Sequence, residues 1–360
     1  MDTKQTAGSV QTPAQNNGQV NEFNQSMKPV SLWDDAWRRL KKNKMAISGL
    51  FVVGFYFAVS IFAPLLPIYS YSEQTIIHQN LPPSFRTAGG LMLKLKRADM
   101  MRVAKAEGRQ ELSKQQKEEL LVLQQEVKRD PVHSRRYLLG TDALGRDVFA
   151  RVVYGGRISI MIGLIGTITS LFIGVLIGAV SGYFGGWIDN VQMRFVDIMY
   201  GLPYMLVVII IMAILGQNIV ILFVAIALVS WLTIARVVRG QVISLKNAEF
   251  VEAARSMGAS TPRIIFQHIL PNTLGIIIIY STLSIPSFIM NESFLSFLGL
   301  GISAPRASWG SLVSEGVSVM TLYPWQLLIP AIAMTVFLFA MNFLGDGLRD
   351  AFDPQSKNRV

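Results

Sequence analysis

The sequence predicts an all-α integral membrane protein with six transmembrane helices, and three observations lead there. Of its 360 residues 51% are hydrophobic and only 16% charged, against about 25% charge in a soluble domain. The apolar residues fall in long uncharged blocks, the pattern of bilayer spans and not of an amphipathic soluble core. Many of the cations behind the net charge of +10 flank those blocks, as membrane topology demands, without the interleaved aromatics of a nucleic-acid surface. Membrane lipid is therefore the expected surrounding, and no nucleic acid. The chain has no cysteine, which excludes disulfides, thiolate chemistry and Cys-ligated zinc. His78, His133 and His268 are far apart in sequence and show no metal-ligand spacing.

Residues 1–30, rich in Gln, Asn, Thr and Ser, read as a disordered cytoplasmic tail. They lack the apolar core of a signal peptide. Residues 31–45 read as an amphipathic interfacial helix, opened by a capping box of Ser31 and Asp34. Trp33, Trp37 and Leu40 share a face there, and the following cations suit an anionic membrane surface. The first span is uncharged from Ala46 to Leu66, within a segment 46–67. A long loop, 68–156, precedes the second span at Ile158–Phe184. Residues 198–235 carry no charge and are too many for one helix, so Gly216-Gln217-Asn218 divides two spans, the first beginning near Arg194. A fifth span follows Pro271 to about Asn291, and the sixth runs from Trp325 to Gly345. The five-helix core thus occupies 157–346, and 347–360 form a second cytoplasmic tail.

Lys and Arg crowd residues 38–44, 236–263 and the C-terminal tail, all on one side of a six-span chain. That side is the cytoplasm, with both termini. The loop 68–156 then lies outside despite its cations, because long loops largely escape the charge rule. In the second span Gly174, Gly178 and Gly182 recur every fourth residue. Three bare backbone patches on one face let a neighbouring helix approach closely, although glycine is also simply common in membrane helices.

Residues 247–271, NAEFVEAARSMGASTPRIIFQHILP, form the most informative loop. Asn247 is placed to cap a helix reaching Met257, and Gly258 to stop it. Thr261 and Pro262 supply the cap and first position of a second helix, ending before Pro271. Phe250, Val251, Ala254 and Met257 form one apolar face, with Glu249, Glu252 and Arg255 away from it. That stripe needs a partner, or else packs on the inner ends of its own spans.

The run Glu252-Ala253-Ala254, three residues, Gly258, then Leu270-Pro271 resembles the EAA signature of ATP-binding cassette importer permeases. In that family the loop forms a coupling helix seated in a groove of the cytoplasmic ATPase. The resemblance therefore implies coupling roles for Glu249, Glu252, Ala253, Ala254, Arg255, Gly258 and Pro271. His268 departs from the usual aliphatic residue and reads as a surface side chain. The runs LGTDALGRDVFARVVYGGRIS (139–159), ESFLSFLGLGISAPRASWG (292–310) and NFLGDGLRDAFDP (342–354) look like the peptide/nickel branch, and within it the oligopeptide permease C subunits. The resemblance covers roughly 31–84 and 137–355. It implies a bacterial inner-membrane subunit that forms the pathway with a second homologous permease, two cytoplasmic ATPase subunits that use ATP and Mg, and an extracytoplasmic peptide-binding protein. The same architecture with dipeptide or nickel-chelate cargo is the alternative. ATP-driven closure of the partners would then move the 249–258 helix as a rigid lever.

Relatives carry the LGTD run almost directly after the pair matching Pro82-Pro83, whereas about fifty residues, 85–136, intervene here. Glu111–Lys128 reads as an exposed helix with a weak apolar stripe. A solvated insertion explains it at little entropic cost. The sharper alternative is a contact for the binding protein, steered by Lys94, Lys96, Arg97, Arg102, Lys105 and Arg109.

No phosphate-cradling G-x-x-x-x-G-K-[ST] and no H-E-x-x-H occurs, so the chain itself is expected to be non-catalytic and without a cofactor. An ion-coupled secondary transporter would need acidic residues within the spans, and these are nearly charge-free. Arg194 and Asp197 are expected to pair on one helix face, and Glu292 and Asp346 to lie near span ends where snorkelling suffices.

Overall fold

In the computed structural model residues 32–216 and 218–352 are described. The expectations for the tail 1–30, for Ser31 as a cap and for residues 353–360 fall outside that range, as does the side chain of Trp33. The described residues are helical throughout apart from connecting turns and one isolated bridge, Thr141 to Asp147.

Helix α1 (Leu32–Lys42) buries Ala36 and Leu40 against Ala46 and Ala351 and leaves Trp37 exposed. It thus packs on the chain's own spans through a face offset from the tryptophan stripe. It ends three residues before the expected 45, because the Asn43 side chain accepts from the Met45 and Ala46 amides and starts α2 (Lys44–Phe62).

Two helices, α3 (Ala88–Ala106) and α4 (Lys114–Arg129), build a hairpin from the 85–136 stretch. The second matches the expected helix and opens on a capping box of Ser113 and Gln116. The first was not expected, because cations punctuate its pattern. The hairpin is pinned at His133, which sits 2.9 Å from His78 across 55 residues of sequence, with the Tyr137 hydroxyl 3.1 Å from the other His78 nitrogen. Burial, then the neighbouring His133 and Arg135, pull the His78 imidazole down to about 4.

Helix α5 (Val148–Phe184) is 37 residues long and starts ten residues before the expected second span. Arg151 and Arg157 hid this extension, since charges look like loop when their partners are unknown. Next come α6 (Gly186–Gly201) and α7 (Tyr204–Leu215), bent 83° apart. The expected single third span is therefore broken at Leu202-Pro203, where proline removes a helical donor and clashes with the preceding turn. The fourth span, α8 (Ile219–Leu245), extends ten residues past the expected 235, carrying Arg236 and Arg239. Both are paired: Arg239 grips Asp189 through two bonds of 2.6 Å, and Arg236 meets Asp197 at 2.5 Å. Asp197 is thus held by α8 and not by the expected Arg194.

Beyond a short helix α9 (Glu249–Ser256) and a turn α10 (Thr261–Arg263), residues Ile264–Ile269 form a π segment that runs straight into α11 (Leu270–Phe297). The helix expected to stop before Pro271 continues through it. In the π segment the Leu270 amide donates to the Ile265 carbonyl, five residues back, a register shift that accommodates the missing proline donor. A buried helix α12 (Trp309–Val319) precedes α13 (Trp325–Phe352), which absorbs the first six residues of the expected C-terminal tail. Among the described residues five helices are long and apolar enough to cross a membrane, or six with α6–α7 as one broken span.

Glu292 lies near the end of α11, as expected, but it does not snorkel. It is fully buried, accepting from Ser296 Oγ at 2.7 Å and Ser308 Oγ at 2.6 Å. Ser308 caps α12, and the adjoining Trp309 donates its amide to Ser159 and its indole to the Val152 carbonyl, both 3.0 Å away on α5. One carboxyl thereby ties α11 to α12 and α5, which makes it structural through burial rather than snorkelling. Asp346 is exposed.

Candidate functional site

Helix α9 protrudes at the end of the bundle where α8 and α11 meet. Its N-cap is Ala248, without a side-chain bond, so Asn247 is not the expected cap. Glu249 and Glu252 in the first turn oppose the positive helix end instead. At the other end the Gly258 amide donates to Arg255 and the Ala259 amide to Ala254, both at 3.0 Å. These two bonds form a Schellman cap, with Gly258 at φ +81°. Nothing lies within 4 Å of a methyl placed on Gly258, so its backbone angle, not crowding, calls for glycine. Ser260, not Thr261, then caps the following turn.

The apolar face of α9 is divided. Val251 is buried against Val238 and Val242 of α8 and Ile264, Ile265 and Ile269 of the π segment, and Ala254 on the same face is buried as well. Phe250 and Met257 remain 40% and 80% exposed, with Ala253 exposed between them. At positions i, i+3 and i+7 these three form one stripe. Glu249, Glu252 and Arg255 are exposed beside it, and Pro271 is exposed further along. The helix is therefore fixed to the spans by one face while presenting an apolar stripe, rimmed by charge, with the other.

The seat itself is rigid. A methyl placed on Gly174 would lie 2.7 Å from Ile234 Cβ, and one on Gly182 would lie 2.8 Å from the Arg239 carbonyl oxygen. One on Gly178 would strike the Ala235 carbonyl. All three glycines face α8, and their bare backbones permit this separation of α5 and α8. The Arg239–Asp189 pair and a 3.3 Å bond from Lys246 Nζ to the Gly182 carbonyl close the same interface at its α9 end.

Above this seat a cleft of about 570 Å³ opens between the α6–α7 break, α8 and α11. Tyr200, Tyr204, Ser230, Thr233, Ser284, Ser287 and Asn291 supply its polar lining, and no charged side chain lines it. Sequence reasoning missed this group. Its signal was polar residues three or four apart in two apolar helices, at 230 and 233, and at 284, 287 and 291.

At the opposite end Arg151 donates to Asp142 and Glu315 at 2.7 Å, while Arg146 donates to Asp142 at 2.6 Å. Two buried guanidiniums thus meet two carboxylates, joining the 139–147 turn, α5 and α12. Such a network is costly to break one member at a time, because a buried charge is then left alone.

The family model for the binding-protein-dependent transport system inner membrane component matches residues 174–358, and that for the N-terminal TM domain of oligopeptide transport permease C matches 31–83. The chain is 41% identical over 91% of its length to the dipeptide transport system permease protein DppC of Bacillus subtilis, covering 87% of that protein. It is 37% identical over 92% of both chains to the oligopeptide transport system permease protein OppC of the same organism. To the OppC protein of Haemophilus influenzae it is 39% identical over 91% of this chain and 90% of that one. With spans, α9 loop and sequence in agreement, this chain belongs to the family of inner-membrane components of binding-protein-dependent transport systems.

Proposed function

We propose that the chain is a permease subunit of an ATP-driven importer, forming with a second homologous permease the membrane pathway for oligopeptides delivered by an extracytoplasmic binding protein. The observation that carries this is the split face of α9: Val251 and Ala254 locked onto the spans, Phe250, Ala253 and Met257 left for a partner. In this reading α9 and both termini lie in the cytoplasm and the α3–α4 hairpin outside, as the short basic flanks require. Two cytoplasmic ATPase subunits bind ATP and Mg and do the hydrolysis. Glu249, Glu252 and Arg255 set the register of docking, Gly258 holds the end of the helix, and Pro271 keeps the π segment in place. Because α9 is packed on α8 and the π segment of the fifth span, its displacement moves both walls of the cleft.

The cleft suits a peptide whose sequence varies. Hydroxyl and amide groups bond to a peptide backbone in either polarity, and the lack of fixed charge avoids trapping charged side chains. A dipeptide cargo is the second reading, favoured by the 41% identity to a dipeptide permease. Proteoliposomes containing the assembled importer separate the two when uptake of labelled dipeptides and tetrapeptides is compared. Glu252→Lys, on the exposed face of α9, should leave the complex inserted but abolish uptake of either cargo. Unchanged ATP-dependent uptake in that variant would remove the coupling role assigned to α9.

A further inference from the structure

The α3–α4 hairpin carries a groove of about 700 Å³, bounded by both helices and by residues 77–81. Its floor is apolar, with Leu81, Met92, Leu95 and Val122 among its lining, and its rim holds four carboxylates, Asp99, Glu118, Glu119 and Glu126, against the single cation Lys96. Glu118, Glu119 and Glu126 make no ion pair with any described residue. Helix α4 has sixteen residues and buries none of them. A helix of that length is marginal without a packed apolar face, and exposed apolar side chains bounded by charge mark a contact surface. The other cations of α3 lie elsewhere: Lys94, Arg97, Arg102 and Lys105 are exposed outside the groove. The hairpin thus has a basic outer face and a separate acidic, apolar groove.

The groove wall is wired to a transmembrane helix. Asn80, between the lining residues Gln79 and Leu81, accepts from Gln326 Nε2 of α13 at 2.7 Å. Leu81 donates its amide to Thr141 Oγ1 at 2.8 Å, and the Thr141 carbonyl receives a second bond from Gln326 at 3.2 Å. An occupant pressing on residues 77–81 therefore bears on the start of the last span. An anionic lipid surface is repelled by the rim, and a mobile solute has no need of a wired wall. We infer that the groove seats a basic, apolar surface segment of the extracytoplasmic binding protein, an assignment that rests on the importer function proposed above.

The test uses the assembled importer in nanodiscs, with ATPase activity titrated by its own binding protein. Glu118→Lys with Glu119→Lys, and separately Val122→Asp, should raise the half-stimulating concentration about tenfold and leave the basal and maximal rates unchanged, because rim charge and apolar floor act on encounter and affinity. Lys94→Glu with Arg97→Glu, on the outer face, should change it less than twofold. Half-stimulation that stays at the wild-type value in the groove variants, or moves as much in the outer-face variant, overturns the assignment. If the hexapeptide Lys-Leu-Val-Lys-Leu-Arg binds the groove of the wild-type complex without displacing the binding protein, the occupant is free peptide and the assignment also fails. Wild-type importer that no binding protein stimulates would instead refute the importer function itself.

Discussion

Truncating the exposed stripe of α9 tests the coupling surface directly. Phe250→Ala with Met257→Ala removes apolar groups that are 40% and 80% exposed in the free subunit. Fully burying either side chain stabilises by about 1.5–3 kcal/mol. Scaled by those exposures, docking draws about 1.2–2.4 kcal/mol from Met257 and about 0.6–1.2 kcal/mol from Phe250. The sum, about 2–3.5 kcal/mol, corresponds to a loss of roughly 30- to 300-fold in affinity for the ATPase subunit. Neither side chain belongs to the buried cluster that holds Val251, so the helix should remain folded. The measurement is a titration of the nanodisc-embedded permease pair with labelled ATPase subunit, with hydrogen exchange of α9 amides as the folding control. A dissociation constant within twofold of wild type, with α9 intact, would refute this account of the stripe.

Glu292→Gln should be tolerated within about 1 kcal/mol, because an amide oxygen can accept from both Ser296 and Ser308, whereas Glu292→Leu strands two hydroxyls and should cost about 2–4 kcal/mol. Thermal unfolding in detergent decides this, and equal losses in the two variants would contradict it. Gly258→Ala should cost about 1 kcal/mol through its positive φ alone, since the added methyl meets nothing. The expected readout is faster amide exchange at the end of α9, and unchanged exchange would count against the cap. His78, held neutral down to about 4 where an unfolded histidine titrates near 6.5, makes the hairpin lose stability as pH falls from about 6.5 to 4. Asp147, which burial pushes up to about 6, acts oppositely from about 6 downward, over most of that range. His78→Gln should therefore flatten or invert the wild-type profile of hairpin proteolysis against pH, and an unaltered profile would refute the role of the imidazole.

Much of this architecture was legible in the sequence for identifiable reasons. Uncharged runs marked the spans because lipid tolerates few charges, and the 174, 178, 182 spacing marked the face that meets α8. Gly258 was legible because few other residues adopt its backbone angle. What escaped depended on partners distant in sequence. Arg151 reads as loop until Glu315, 164 residues away, is placed beside it. Glu292 reads as a span-end charge until Ser308 arrives from the next helix. The His78–His133 contact has no spacing rule to reveal it. Backbone irregularities were hidden differently: the break at Pro203 and the π segment before Pro271 are two answers to the same missing amide, and neighbouring structure selects between bending and re-registering.

The 37 residues of α5 give it a length of about 55 Å, nearly twice the roughly 30 Å hydrocarbon layer. One end holds Arg151 in the carboxylate network, and the other holds α8 through Gly182. With no proline between them, the two attachments sit on one continuous helix. A tilt that parts the helices at one membrane face must carry the other attachment in the opposite sense. Opening to both sides at once would require breaking either the guanidinium network or the glycine seam. In the importer proposed above, the dimensions of a single helix thus couple the two faces of the membrane.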